Sequence, residues 1–260
     1  MTVPVYGHVA YTHSLVRDLE REGVDYVIVD NKGDYTPLGH ERVLTPESNL
    51  GWAQASNLGF RLAFAEGHRN AMTLNNDVRL SRGFFDGYLD SRLPDNVGAV
   101  TALYDDRRGH PAQLAEFRGP AHDYEPSDRF RELRSIDGTA MMICREAWIK
   151  VGGFEGRSFG TFSWGANLDL CIRLRNAGFA VVATELSFHN HFRGKTAATV
   201  TNTLNYNVSG VRHLRKGMKA FHGKKWQALI DDRSFTVRDL DDTSHVVEDS
   251  ARRLLNATTE

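Results

Sequence analysis

Short runs of aliphatic and β-branched residues alternate along this chain with segments whose apolar positions recur every three or four residues. Residues 2–7, TVPVYG, predict a strand. The following HSLVRDLERE places Leu15, Val16 and Leu19 at helical spacing and stops at Gly23. VDYVIVD, residues 24–30, is nearly continuous in apolar character, the pattern of a strand buried on both faces. GWAQASNLGFRLAFAEG predicts a helix on Trp52, Ala55, Leu58, Leu62 and Ala63, closed by Gly67. NAMTLNND and NVGAVTALY predict two further strands. IDGTAMMICREAWIKVGGF predicts a strand and then a short helix stopped by Gly152 and Gly153. NLDLCIRLRNAGF predicts a helix, and AVVATELSFHNHF a strand that ends in two histidines. Such alternation predicts an α/β fold, a mostly parallel central sheet covered by helices.

Two segments depart from that rhythm. Residues 105–135 have no clear period, many charges and several prolines, the character of a long functional loop. From about residue 200 the chain turns polar and helical in pattern. Residues 212–226, RHLRKGMKAFHGKKW, are strongly basic, and the stretch after them is acidic. The division expected is therefore a domain over 1–199 and a mainly helical C-terminal extension over 200–260. The basic run has two readings, a solvated helix face or a docking surface for an anionic partner. Its pairing with the acidic stretch in a homo-oligomer is a third arrangement.

Composition narrows the class. The chain has 260 residues, 41% hydrophobic and 25% charged, with net charge −1, so nothing global draws it to nucleic acid or anionic membrane. Cys144 and Cys171 lie in apolar surroundings with no metal-ligand spacing, which predicts plain thiols in a reducing compartment. No apolar run reaches about 18 residues, and the N-terminus lacks a basic region followed by a long apolar core. A cytoplasmic location is expected.

In open α/β sheets ligands bind beyond the carboxyl ends of the strands. The ends here are polar: Asp30-Asn31, then Asn75-Asn76-Asp77, then His189-Asn190-His191. Taken alone, Asn75-Asn76-Asp77 is a turn or a metal site. No glycine-rich phosphate loop of either common spacing follows the first strand, which disfavours a dinucleotide fold. A nucleoside diphosphate bound without one needs its charge neutralised otherwise, usually by a divalent cation on carboxylate oxygens.

VIVDNKGDY, NLGWAQASNLGFRLA, LNNDVRLSRGFFD, IDGTAMMICREAWIKVGGFEG, WGANLDLCIRLRNAGF and HNHF come in the order and at the spacing of family 2 glycosyltransferases, and the chain resembles that family over about residues 3–195. The resemblance implies the GT-A fold, a nucleotide-sugar donor (a UDP-sugar foremost), Mn²⁺ or Mg²⁺, and a hydroxyl acceptor of unknown kind, whether glycan, lipid-linked, protein or nucleic acid. It implies that Asp30 and Asn31 hold the nucleobase and that Asn49 and Gly51 to Asn57 line the nucleotide pocket. It matches Asn75-Asn76-Asp77 to the D-x-D motif, Asp77 being the metal ligand and Asn75 a weaker amide one. It matches His189 to the late histidine that reaches metal or diphosphate. His191 is the alternative, only one of the two being expected to face the site.

The family usually has G-E-D-x-D-L where this chain has WGANLDL. The position of the family's base is Asn167, whose amide has no basic pair near neutral pH. Asp169 is the carboxylate left to take the acceptor's proton. Asn167 also fits a helix N-cap, and Asp169 the first helical turn, where the dipole favours a carboxylate. Trp164 fits the core or a sugar platform. The stretch 164–170 also resembles W-G-G-E-N-x-E of retaining polypeptide N-acetylgalactosaminyltransferases, so both stereochemical outcomes stay open, with inversion favoured. The rival is a glycosyltransferase-like module that binds without transfer. A nucleotidyltransferase is disfavoured because PVYGHVAYTH has no Lys or Arg for the phosphates.

Overall fold

The computed structural model describes residues 1–160, 162–192 and 203–249. The strands are β1 (Thr2–Val5), β2 (Val27–Asp30), β3 (Arg42–Leu44), β4 (Asn70–Leu74), β5 (Val78–Leu80), β6 (Val97–Tyr104), β7 (Arg129–Glu132), β8 (Ala140–Cys144), β9 (Ala180–His191), β10 (Thr236–Asp239) and β11 (Val246–Asp249). The helices are α1 (Val9–Glu22), α2 (Gly51–Ala65), α3 (Arg145–Val151), α4 (Ala166–Asn176) and α5 (Thr203–His222). One sheet takes the order β11-β10-β7-β9-β6-β8-β4-β1-β2-β3, with β5 paired to β9. From β3 to β9 every strand but β8 runs the same way, because β8 is antiparallel to both β4 and β6 while β6 and β9 are parallel.

Val27, Ile28 and Val29 are all buried, as a strand covered on both faces requires. One apolar cluster joins α2, α3, α4 and α5 to one face of the sheet; α1 and β5 belong to the other. Gly59 lets α2 lie against β1, since a Cβ there would come within 1.8 Å of Thr2 Oγ1. Cys171 is fully buried, which pushes its thiol up to about 12; Cys144 accepts from the Ala147 amide and caps α3.

The aperiodic stretch hides a strand. β7 lies between β9 and β10, and its Arg131 is buried in an ion pair with Glu185 at 2.7 Å, a polar interior that no apolar run announces. The C-terminal stretch is likewise not only helical. After α5 the chain adds β10 to β7 and extends the same sheet. The boundary expected at 199/200 lies outside the described residues.

Candidate functional site

The carboxyl ends of β1, β2, β4, β6 and β9 open on one edge of the sheet, and the polar strand ends meet there. Phe192 N donates to Asp77 O, and Val78 pairs with His191, so the end of β9 lies against the residue after β4. His191 Nε2 stands 3.5 Å from Asp77 Oδ1, and His191 Nδ1 is 3.0 Å from Asp106 Oδ2. Asp105 takes the His191 amide on one oxygen and the Asn190 side chain on the other. Burial alone would drive the His191 imidazole toward neutrality. The hydrogen bonds to Asp106 and Asp77, with the charges of Asp77 and Asp137, outweigh it and carry its pKa up to about 10.

His189 and His191 do not point to opposite faces, because residues two apart on a strand share a face. Depth separates them instead. His189 has no exposed surface, stacks on Tyr104 at 5.5 Å, meets Phe84 edge-on, and leaves both ring nitrogens unpartnered. Burial and then the charge of His191 push its pKa down to about 3. The mouth of the site has His191; His189 lies in the core beneath it.

The three residues after β4 do three things. Asn75 Oδ1 accepts from Trp52 Nε1 at 3.1 Å, which leaves the amide nitrogen as its outward group. Asn76, buried, donates to Thr12 Oγ1 and ties the strand end to the start of α1. Asp77 is the one of the three that presents a carboxylate to His191. Asp30 is 2% exposed and accepts from the backbone amides of Lys32, Gly33 and Tyr35, so the carboxylate shapes the turn after β2. Asn31 Oδ1 accepts from Leu50 N, and Asn49 Oδ1 from Gly51 N, which together set the start of α2 beside that turn. Asn57 is bound through both side-chain atoms to the backbone of Phe154, in the loop after α3.

Gly165, not Asn167, caps α4, and Asn167 lies inside the first turn, donating to Ile136 O at 2.7 Å. Its Cβ lies next to Gly138, which also abuts Trp52, so Asn167 borders the Trp52–Asn75 pair. Asp169 is two residues on, about 200° around a helix. It points to the other side, 2% exposed, where Arg173 grips it at 2.9 and 2.7 Å and His222 Nε2 at 2.9 Å. Trp164 packs against Gly210 of α5, where a Cβ would sit 2.6 Å from the indole.

Sequence reasoning passed over Asp105, Asp106 and Asp137. The first two follow β6 directly, and the strand-end argument applied to NVGAVTALY would have found them. His8 was passed over as well. It caps α1 at φ 54°, and Ser163, at φ 55°, lies just before Trp164. Such conformations of non-glycine residues gather where surrounding structure holds a site in place.

No family model matches the chain. A protein of Mycobacterium tuberculosis H37Rv described as uncharacterized protein Rv1525 is 47% identical over 230 residues, covering 88% of this chain and 87% of its own length. Uncharacterized protein Mb1552 of Mycobacterium bovis matches to the same extent. Among solved structures, a mannosyltransferase from Pyrobaculum calidifontis in complex with GDP-Man and Mn²⁺ superposes with TM-score 0.59 at 16% identity, over 84% of this chain and 62% of that one. GalNAc-T7 with UDP, GalNAc and Mn²⁺ gives TM-score 0.55 at 13% identity, over 73% and 43%. S. aureus TarS gives 0.51 at 10%, over 88% and 73%. This chain thus spans less than two thirds of the first two enzymes. At these identities the likeness shows the fold, which is GT-A.

Proposed function

The chain belongs to the family of the mycobacterial proteins Rv1525 and Mb1552, and from its GT-A fold and the chemistry of its strand ends we propose that it is a glycosyltransferase using a nucleoside-diphosphate sugar. The observation that carries this reading is the Asp77–His191 pair at the mouth, backed by Asp106 on the far ring nitrogen.

The donor set fits a divalent cation. A carboxylate and an imidazole are adjacent, and Asp106 holds Nδ1 so that Nε2 faces Asp77. Among the described residues no group of three His, Cys, Asp or Glu is placed to hold an ion, so diphosphate oxygens and water would have to complete the coordination. Asp77 and His191 would hold Mn²⁺ or Mg²⁺, which when bound neutralises the charge that grows on the leaving diphosphate. Asn75, its oxygen held by Trp52, donates its amide proton to a diphosphate oxygen rather than acting as a ligand. Asp30 and Asn31 shape the nucleobase end through the turn they hold.

Asp169 is turned away and doubly engaged, so it takes no proton from an acceptor. Asp105 and Asp106 are engaged by Asn190 and His191, whereas Asp137, half-buried next to Gly138 and felt electrostatically by His191, takes Thr139 N and Oγ1 on one oxygen, Oδ1, alone. We assign it the acceptor's proton, with inversion as the outcome. A second reading, binding without transfer, is favoured by one observation: an amide occupies position 167 and is tied to Ile136 O.

The experiment is donor hydrolysis with a panel of nucleotide sugars, UDP-sugars first, with and without Mn²⁺. Asp77→Ala and Asp137→Asn are run alongside. Metal-dependent release from one donor, lost with Asp77→Ala, supports the enzyme. Nucleotide binding retained in Asp137→Asn with turnover lowered at least about a hundredfold supports its role as base. Binding of a nucleotide with no turnover of any donor, acceptors included, favours the binding module.

A further inference from the structure

α5 has two unlike sides. Its inner side is built for close packing: Gly210 lies under Trp164, Gly217 under Phe159, and Met218 is fully buried. Its outer side carries Val208, Val211, Arg212, Arg215 and Lys219, which at 100° per residue form one stripe. Val208 is 62% exposed and Val211 38%. Lys216 flanks the stripe, and Lys224 and Lys225 continue it past the helix end; all six cations are exposed.

From residue 203 to residue 230 the sequence has no Asp or Glu. None of the six cations is in an ion pair among the described residues, although their counterparts elsewhere pair freely, as Arg92 does with three aspartates. Among the described residues, a patch of six positive charges in a chain of net charge −1 thus has no acidic partner.

We propose that the outer face of α5 docks on an anionic lipid surface. Cations attract the surface over a Debye length, and two aliphatic side chains in line with them enter the headgroup region while the long Arg and Lys stems reach outward. The apolar members of the stripe favour lipid over nucleic acid. They are branched aliphatics, and the stripe lacks the aromatic and amide groups that stack on or read bases. Phe221, the nearby exposed aromatic, tilts against Phe159. The docking does not rest on the glycosyltransferase reading.

The test is flotation of the full chain with vesicles of phosphatidylcholine alone and of phosphatidylcholine with about a third phosphatidylglycerol. The expected result is co-flotation with the anionic vesicles only, weakening as salt is raised toward about 1 M. The triple variant R212E/R215E/K219E should lose at least about tenfold in vesicle affinity, with its circular dichroism and Tm unchanged. Should that variant fail to fold, the comparison of vesicle types and the salt series on the natural chain still decide. Absence of binding to anionic vesicles, or equal binding to both kinds, overturns the proposal. So does tight binding of a DNA or RNA duplex at the same salt by protein that floats with neither vesicle.

Discussion

Replacing Asp169 separates a structural clamp from a catalytic base. Its carboxylate receives three charge-assisted contacts, two from Arg173 and one from His222, and Arg173 in turn donates to the Val151 and Gly153 carbonyls. The clamp therefore joins α4 to the end of α3 and to the last turn of α5. Removing one partner of a fully buried pair costs about 3–5 kcal/mol. Arg173 is 27% exposed, so water recovers part of that, and Asp169→Ala should cost about 2–3 kcal/mol. Asp169→Asn keeps the shape and one acceptor, and should cost about half as much. In a chain of this size Asp169→Ala lowers Tm by roughly 5–10 °C. Urea unfolding gives the free energy, and His222→Ala closes a double-mutant cycle whose coupling should reach about 1 kcal/mol. Donor hydrolysis measured well below Tm should stay within about threefold of the natural protein for Asp169→Asn. A loss of a hundredfold or more at unchanged Tm would refute the clamp and restore Asp169 as the base.

Three further outcomes follow from the same geometry. Because the pKa of His191 stands at about 10 without metal, Mn²⁺ must displace a proton from it, so apparent Mn²⁺ affinity in calorimetry should rise about tenfold per pH unit from pH 6.5 upward and level off near 10. The raised value also stabilises the metal-free fold fully below the unfolded pKa of 6.5 and loses that contribution as pH rises through about 10; a flat Mn²⁺ profile would exclude the charged pair. His189 behaves oppositely: its pKa of about 3 means stability is lost as pH falls below 6.5, and His189→Phe should remove that loss, raise stability by about 1 kcal/mol and leave Mn²⁺ binding unchanged. Gly138→Ala brings a Cβ within 2.6 Å of the Trp52 ring, which should break the bond to Asn75, cost about 1–3 kcal/mol in denaturant melts and weaken nucleotide binding about tenfold in fluorescence titrations.

What was legible in the sequence followed from physical periods, and what was not followed from places where letter spacing and geometry part. β2 announces itself because both its faces are apolar, whereas β7 does not, because one of the two residues it buries, beside Phe130, is an arginine that meets Glu185 from a strand more than fifty positions away. The rule that ligands meet strand ends located the mouth, and it would have located Asp105 and Asp106 too had it been applied to β6. The carboxylate nearest the missing one in WGANLDL is Asp169, and nearness in letters is not nearness on a helix. On a helix a shift of two residues is not a small displacement but a change of side, so Asp169 meets α5 and Arg173 while Asn167 keeps the place at the mouth. On a strand the same shift of two keeps the face, which is why His189 and His191 are separated by depth and not by direction. Helical phase, applied to candidate residues as strictly as to core residues, sets Asp169 on a different side from Asn167, and strand phase sets His189 and His191 on one face. On the reading proposed above, the base is then Asp137, in the loop before β8 and next to the Gly138–Trp52 contact beside Asn75.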